Sequence, residues 1–158
     1  MPALENEIGK LMKAKGLTLG TVESATGGLI SNLITDVAGS SEYFKGSVVS
    51  YANETKMNVI GVKRGTLEKY GAVSSQTAEE MAQGGHKLLN VDICVADTGI
   101  AGPGGATPGK VVGLFYLGLA HKDGVFSRKH EYSGSRIENK KAAARAALEW
   151  VKEYLETL

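Results

Sequence analysis

Residues 91–120 read VDICVADTGIAGPGGATPGKVVGLFYLGLA, and the architecture can be worked out from this segment outwards. It opens with an apolar, β-branched segment, Val91 to Thr98, which is typical of a buried strand. Its middle part, Gly99 to Lys110, is a loop by its glycine and proline content. Its last part, Val111 to Ala120, predicts a second strand. The stretch therefore places a long glycine-rich connection between two strands of one sheet.

Strands and helices alternate on either side of this stretch. Downstream, an Asp-Gly turn at Lys122 to Gly124 leads into a strand from Val125 to Tyr132, which makes an antiparallel hairpin. Upstream, the pattern predicts strands at Leu17 to Glu23 and Ser47 to Tyr51. Helices are predicted before Lys15 (Gly16 as the stop), at Gly27 to Val37, Asn53 to Ile60 (Asn53 as N-cap), Thr66 to Tyr70, Thr77 to Leu89 (Ser74 or Ser75 as cap) and Ser135 to Leu158.

Strands that are separated by helices pair in parallel, and a late hairpin adds an antiparallel member. The sequence therefore predicts an α/β fold. We expect a single domain over residues 1–158, built as a three-layer α/β/α sandwich. Its mixed, mostly parallel sheet should have about five strands.

The composition and charge exclude several classes of protein. Of the 158 residues 21 are glycine, and seven of these lie between Gly99 and Gly118 without the triplet period of collagen. The net charge of +1 is no general footprint for nucleic acid. The sequence contains no run of about 18 apolar residues, so no membrane span is expected. The N-terminus lacks a signal-peptide pattern. The single Cys94 fits a reducing cytoplasm. We expect a cytoplasmic protein without nucleic-acid or membrane partners.

The segment ESATGG, Glu23 to Gly28, lies at a predicted strand-to-helix junction. Ligands of open α/β sheets bind at the carboxyl ends of the strands, where a helix N-terminus offers N–H groups to a phosphate or an oxyanion. Gly27 and Gly28 would let a ligand approach the backbone closely. The alternative is that Ser24 or Thr26 only caps the helix.

A second candidate is YANETK, Tyr51 to Lys56. A lysine in the first turns of a helix opposes the helix dipole, which lowers the pKa of the amine. A partly desolvated lysine of this kind can serve as a general base. The alternative is an exposed surface lysine.

The glycine loop contains GGATPGK, which superficially resembles a P-loop. Val111 stands where serine or threonine would hold magnesium, and a strand follows instead of a helix, so the P-loop is excluded. The loop could instead be a lid or a backbone cradle for a substrate. The alternative is a connection without functional consequence. A further candidate is Ser133 to Arg136, just before the predicted last helix. Arg136 could bind a phosphate there, or could be a solvated arginine beside a helix cap. No metal site is predicted, because His86, His121 and His130 lack ligand spacing with Cys94.

Several of these segments together resemble one known family. They are ESATGG, GSSEYFKGSVVSYANETK, GAVS at Gly71 to Ser74, and TGIAGPGGATPGK followed by VGLFY. The chain resembles the CinA carboxy-terminal domain from about Val22 to the final helix. Catalytic members of that family are nicotinamide-nucleotide amidases. Longer members carry an additional molybdopterin-biosynthesis-like domain, so this chain looks like the stand-alone form.

The resemblance implies that nicotinamide mononucleotide is hydrolysed to nicotinate mononucleotide and ammonia without a cofactor. It implies a nucleophilic Ser24 with Tyr51 and Lys56 as partners, and Thr98 and Arg136 match positions associated with activity or binding. Departures are Ala25 for a common cysteine, Thr55 for alanine and Val111 for proline. The predicted substrate-binding residues are Thr26, Gly27, Gly28, Asn53, Thr98, Gly99, Gly102 and Arg136.

Two further expectations complete the sequence-based hypothesis. A small α/β domain with an apolar terminal helix could form a homodimer or a larger homo-oligomer. The alternative to an enzyme is a non-catalytic pyridine-nucleotide sensor or a competence- or damage-related interaction module, because a fold does not fix a function.

Overall fold

A five-stranded mixed sheet forms the centre of the computed structural model, which describes residues 3–158. Its strands are β1 (Leu19–Glu23), β2 (Phe44–Val49), β3 (Ile93–Gly99), β4 (Leu114–His121) and β5 (Gly124–Glu131). Their order across the sheet is β2-β1-β3-β4-β5. β1 pairs in parallel with β2 and β3, whereas β4 is antiparallel to β3 and β5, so β4 alone runs against the others. The predicted α/β class and mostly parallel sheet are confirmed.

Helices cover both faces of the sheet. They are α1 (Leu4–Lys15), α2 (Leu29–Thr35), α3 (Asn53–Thr55) with a π-helical turn (Lys56–Ile60), α4 (Arg64–Tyr70), α5 (Ser75–Leu88) and α6 (Arg136–Glu156). Successive residues of β3 point to opposite faces, so Ile93 and Val95 pack with α1, α2 and α6, while Cys94 and Ala96 pack with α5. No helix within residues 3–158 is long and apolar enough to cross a membrane.

Several predicted boundaries differ from the structure at the site edge of the sheet. Helix α2 begins at Leu29 because Gly27 and Gly28 have φ values of 61° and 102°, outside the helical region. Strand β2 begins at Phe44 and ends at Val49, so Tyr51 lies beyond it. The N-cap of α3 is Ala52 in an extended conformation, so Asn53 as N-cap was wrong.

Other predicted ends agree closely with the structure. Gly16 ends α1 in the left-handed conformation, and the Ser74 hydroxyl caps α5 by accepting the Thr77 N–H. The predicted start of β4 at Val111 differs from the structure: the strand starts at Leu114, because the chain turns before it and the Gly113 N–H donates to the Ile100 carbonyl. The predicted first helix also included residues 1 and 2, which lie outside the described residues.

Part of the glycine excess serves close packing of α5 on the sheet. A Cβ at Gly85 would lie 2.2 Å from Cγ2 of Val22 and 2.7 Å from Sγ of Cys94. A Cβ at Gly118 would lie 2.1 Å from the carbonyl oxygen of Ala78. These distances are well inside van der Waals contact, so the helix approaches the sheet this closely only without side chains at these positions.

We expect Gly85→Ala to lower the free energy of unfolding by about 1–3 kcal/mol, because the added methyl overpacks the core between α5 and β1. The matched control is Gly65→Ala in α4, where nothing lies within 4 Å of the added Cβ. The control should be neutral or stabilising by up to about 1 kcal/mol, since alanine favours a helix. Urea unfolding of both variants measures the difference, and equal effects would contradict the packing role of Gly85.

Candidate active site

A cavity of about 290 Å³ opens where β1 and β3 end, which is the usual ligand position in an open α/β sheet. The glycine loop that follows β3 forms one wall, and the turn between β1 and α2 forms another. The predicted residues that line the cavity are Ser24, Tyr51, Asn53, Lys56, Thr98, Gly99, Gly102 and Arg136.

Lys56 lies at the cavity with its amine held on three sides. Its Nζ is 3.0 Å from Oγ of Ser24 and 2.8 Å from the carbonyl oxygens of both Ser50 and Tyr51. The residue is only 1% exposed, which contradicts the alternative of a surface lysine. Burial lowers the pKa of Lys56 to about 8, and the charge of Asp97 opposes this effect. Burial, rather than the helix dipole that the sequence suggested, is therefore the main cause of the lowered pKa.

These three contacts fit a neutral amine as well as an ammonium. The ammonium form donates one hydrogen to each neighbour. A neutral amine has two hydrogens, which the carbonyls of Ser50 and Tyr51 accept. Its lone pair then faces Oγ of Ser24 and accepts the hydroxyl hydrogen. The chain path just after β2 therefore aims a potential base at a serine hydroxyl.

The turn that carries Ser24 is tied to β3 by the carboxylate of Asp97. Its Oδ1 accepts the Ser24 N–H at 3.0 Å, and its Oδ2 accepts the Thr26 N–H at 3.1 Å. Oδ1 also lies 2.5 Å from Oγ1 of Thr26. Asp97 is fully buried, and this burial raises the pKa of its carboxyl to about 6. The Ser24 backbone is thus fixed by a contact between residues 73 positions apart.

A second buried carboxylate, Glu23, satisfies the start of α2. It accepts N–H bonds from Gly28, Ile30 and Ser31 at 3.1, 2.8 and 2.9 Å, and a hydrogen bond at 2.7 Å joins it to the Thr26 hydroxyl. Neither Ser24 nor Thr26 caps the helix, because Glu23 takes that part from inside the sheet. The Ser24 hydroxyl is therefore directed to Lys56 and the cavity.

Comparison with known proteins gives the family. The protein-family model of the CinA C-terminal domain matches residues 1–155. The chain belongs to the CinA C-terminal domain family. A relative from Halothermothrix orenii is 48% identical over 154 residues, which cover 97% of this chain and 37% of that protein. The CinA domain described here thus spans just over a third of the length of that relative.

Solved CinA structures share the fold. A CinA superfamily protein from Klebsiella pneumoniae has a TM-score of 0.94 at 28% identity, with 98% of this chain and 97% of that chain covered. The competence/damage inducible protein CihA from Agrobacterium tumefaciens has a TM-score of 0.89 at 38% identity, with 99% and 98% covered. The CinA family and its α/β architecture, both expected from the sequence, are confirmed.

Three predicted binding residues of this CinA domain, Thr26, Gly27 and Gly28, lie outside the lining of the cavity. The Gly27 N–H donates to the Ser24 carbonyl and the Gly28 N–H donates to Glu23, so both N–H groups already have acceptors within the protein. Their role in binding stays a prediction. Within residues 3–158, the N–H of Ala25 has no acceptor, and Ala25 lines the cavity beside Ser24.

Tyr51 and Arg136 form the rim of the cavity. Tyr51 is 62% exposed, and its hydroxyl accepts a hydrogen bond from Nη2 of Arg136 at 3.4 Å. Nη1 of Arg136 donates to the Gly102 carbonyl at 2.8 Å, which links α6 to the glycine loop. In residues 3–158 the Tyr51 hydroxyl bonds neither Ser24 nor Lys56; its backbone carbonyl contacts Lys56 instead.

The remaining predicted residues lie around the glycine loop. The Thr98 hydroxyl donates to the Ala72 carbonyl at 2.7 Å, and Asn53 is exposed at the cavity mouth. Sequence reasoning missed Asn139, a buried residue of α6. Its Nδ2 donates to the carbonyls of Ala101 and Gly134, and its Oδ1 accepts the Gly134 N–H. This amide braces the loop against the start of α6.

Sequence reasoning also missed Asp97, although one signal was present. Asp97 is the only acidic residue between Ile93 and Thr98 in the apolar β3 segment. A charged side chain at the end of a buried strand needs partners, and such positions are enriched in functional sites. Cys94, in the same strand, is buried in the core, which raises the pKa of its thiol to about 12. Within residues 3–158, no cluster of three His, Cys, Asp or Glu side chains could hold a metal ion.

Proposed function

We propose that this CinA domain is an amidase that hydrolyses nicotinamide mononucleotide to nicotinate mononucleotide and ammonia. The observation that carries the proposal is the contact of 3.0 Å between Nζ of the buried Lys56 and Oγ of Ser24 at the cavity. A serine hydroxyl needs an adjacent base to become a nucleophile, and a lysine with a pKa of about 8 is suited to that task.

In the proposed acylation step, neutral Lys56 takes the hydroxyl proton of Ser24. Oγ forms a bond to the carboxamide carbon, and the carbonyl oxygen becomes an oxyanion. When this intermediate collapses, the C–N bond breaks and Lys56 returns the proton to the leaving nitrogen, which departs as ammonia. Water, deprotonated by Lys56, then attacks the acyl-enzyme, and Ser24 regains its proton from Lys56 as nicotinate mononucleotide leaves.

Backbone groups and the rim complete the proposed site. The free N–H of Ala25 follows the nucleophile directly, a position that donates to the oxyanion in other serine hydrolases. The guanidinium of Arg136 at the rim is suited to the 5′-phosphate of the nucleotide. The pyridinium charge of this substrate makes its carboxamide more electrophilic. Tyr51 is proposed to contribute through its carbonyl to Lys56 and through its ring at the cavity mouth.

Ammonia release from nicotinamide mononucleotide across pH 6 to 9.5 tests the proposal. Because neutral Lys56 is the base, kcat/KM should rise about tenfold per pH unit below pH 8 and level off above it. A rate that falls as the pH rises from 6 to 8 would contradict the role of Lys56. A coupled assay for nicotinate mononucleotide checks that the carboxamide is the bond that is cleaved.

The second candidate is a non-catalytic pyridine-nucleotide sensor or a competence- or damage-related interaction module. Only the latter is in line with the name of the Agrobacterium relative, a competence/damage inducible protein. A sensor would bind nicotinamide mononucleotide in calorimetry without releasing ammonia, so the same assay separates the two. A cytoplasmic location and a homodimer or larger homo-oligomer are further proposals, and size-exclusion chromatography with light scattering tests the latter.

A further inference from the structure

Two buried ionisable groups contact Ser24 through different atoms. Lys56 contacts its side chain through Oγ at 3.0 Å, and Asp97 contacts its backbone N–H at 3.0 Å. They come from different elements, since Lys56 begins the π-helical turn after β2 and Asp97 lies in β3. Both are 1% exposed or less, so water screens the interaction between their charges poorly.

We propose that Asp97 is a positioning residue that fixes the Ser24 turn with both carboxyl oxygens and acts through its charge on the Lys56 ammonium. The bonds to Ser24 and Thr26 set the direction of the Ser24 side chain. The negative charge favours the protonated amine, so an ionised Asp97 holds the proton on Lys56 and a neutral one releases it at lower pH. The inference rests on the proposed function only where it concerns the rate of the reaction.

The Thr26 hydroxyl supports a titratable Asp97. Its oxygen lies 2.7 Å from Oε1 of Glu23 and 2.5 Å from Oδ1 of Asp97. One hydroxyl hydrogen serves only one of these contacts, so both are hydrogen bonds only when one carboxyl carries a proton. Burial raises the pKa of Asp97 to about 6, so Asp97 is the carboxyl that takes up this proton.

The charged neighbours of Asp97 come from two elements. Glu23 on β1 is a like charge that raises the pKa of Asp97, and Lys56 on the π-helical turn is an opposite charge. The backbone N–H groups of Ser24 and Thr26 donate hydrogen bonds that lower the pKa of Asp97. Asp97 thus responds to pH in a range where Lys56 is still protonated.

Nuclear magnetic resonance titration of the full chain tests the proposal without any substrate. The ¹H–¹⁵N signals of Ser24 and Thr26 should move together with a midpoint near pH 6, because both N–H groups donate to Asp97. In Asp97→Asn this common transition should vanish. The midpoint of the Lys56 side chain, followed through its Cε and Nζ signals, should fall by about one pH unit.

Asp92→Asn is the matched control. Asp92 also accepts a threonine N–H and a threonine hydroxyl, from Thr18 at 2.8 and 3.0 Å, but it lies at the opposite end of β3, about 16 Å away. This variant should keep the common Ser24 and Thr26 transition and the Lys56 midpoint of the wild type. A control that loses the transition or shifts the Lys56 midpoint as Asp97→Asn does would overturn a specific role for Asp97.

An unchanged Lys56 midpoint in folded Asp97→Asn would overturn the electrostatic part of the proposal. If Asp97→Asn does not fold, the wild-type titration decides. Signals of Ser24 and Thr26 that lack a common midpoint between pH 5 and 7 would then overturn the proposed role of Asp97. These readouts need no turnover. An enzyme that fails to release ammonia therefore rejects the proposed function alone, while a failed titration rejects the role of Asp97 alone.

Discussion

Ser24→Ala is expected to reduce ammonia release from nicotinamide mononucleotide by about 10⁴-fold or more while the fold persists. The variant removes the proposed nucleophile, and removal of a nucleophile costs rates of this order in serine hydrolases. Its structural cost should be small, because Oγ of Ser24 bonds only Lys56 within residues 3–158 and the Ser24 N–H remains on Asp97. Initial rates and a thermal unfolding midpoint, measured on the same preparation, check both parts.

Ser31→Ala is the matched control for this loss. Ser31 lies in α2 outside the cavity, and its hydroxyl donates to the Gly28 carbonyl at 2.9 Å. Deleting this hydroxyl should leave the rate within about twofold of the wild type. Near-normal turnover in Ser24→Ala would reject the nucleophile and leave Lys56 to act on a bound water instead.

The strands and helices around the site follow from local patterns. The apolar β3 segment, the Asp-Gly turn and the long amphipathic C-terminal helix are read from periodicity and turn chemistry, which depend on neighbouring residues only. These features suffice for the order of elements, and hence for a mixed sheet whose strand ends bring Ser24 and Lys56 to one edge.

The chemistry of the site depends on contacts between distant residues, which local patterns do not encode. Asp97 meets the Ser24 turn across 73 residues, and Glu23 caps α2 from a strand rather than from the N-cap position. The amine of Lys56 faces Ser24 because the chain after β2 turns two carbonyls towards it. Sequence reasoning found Ser24 and Lys56, which the structure brings into contact. It missed the carboxylates that hydrogen-bond the Ser24 turn and α2, and it attributed the lowered pKa of Lys56 to a dipole rather than to burial.

Lys56→Met is the second change with a large expected effect. Methionine keeps most of the side-chain volume but has no base, so kcat should fall by about 10³-fold or more. The KM should change little, because Lys56 contacts Ser24 and two backbone carbonyls rather than the rim. Lys63→Met, an exposed lysine at the start of α4, is the matched control and should retain the wild-type rate. A raised KM with normal kcat would instead assign Lys56 to binding.

The same variant separates catalysis from stability through the pH dependence of unfolding. The folded protein binds fewer protons than the unfolded chain between pH 8 and 10.5, because burial lowers the pKa of Lys56 from 10.5 to about 8. The wild-type free energy of unfolding therefore gains a contribution as the pH rises through this window. Lys56→Met lacks this gain, so its free energy of unfolding should fall behind that of the wild type by about 2 kcal/mol as the pH rises from 7 to 9.5. Urea unfolding at both pH values measures this, since other titrating groups are common to both proteins. A difference in the free energy of unfolding that does not change with pH would mean that Lys56 is not desolvated. Burial would then not lower its pKa, and the amine would stay protonated instead of serving as the base.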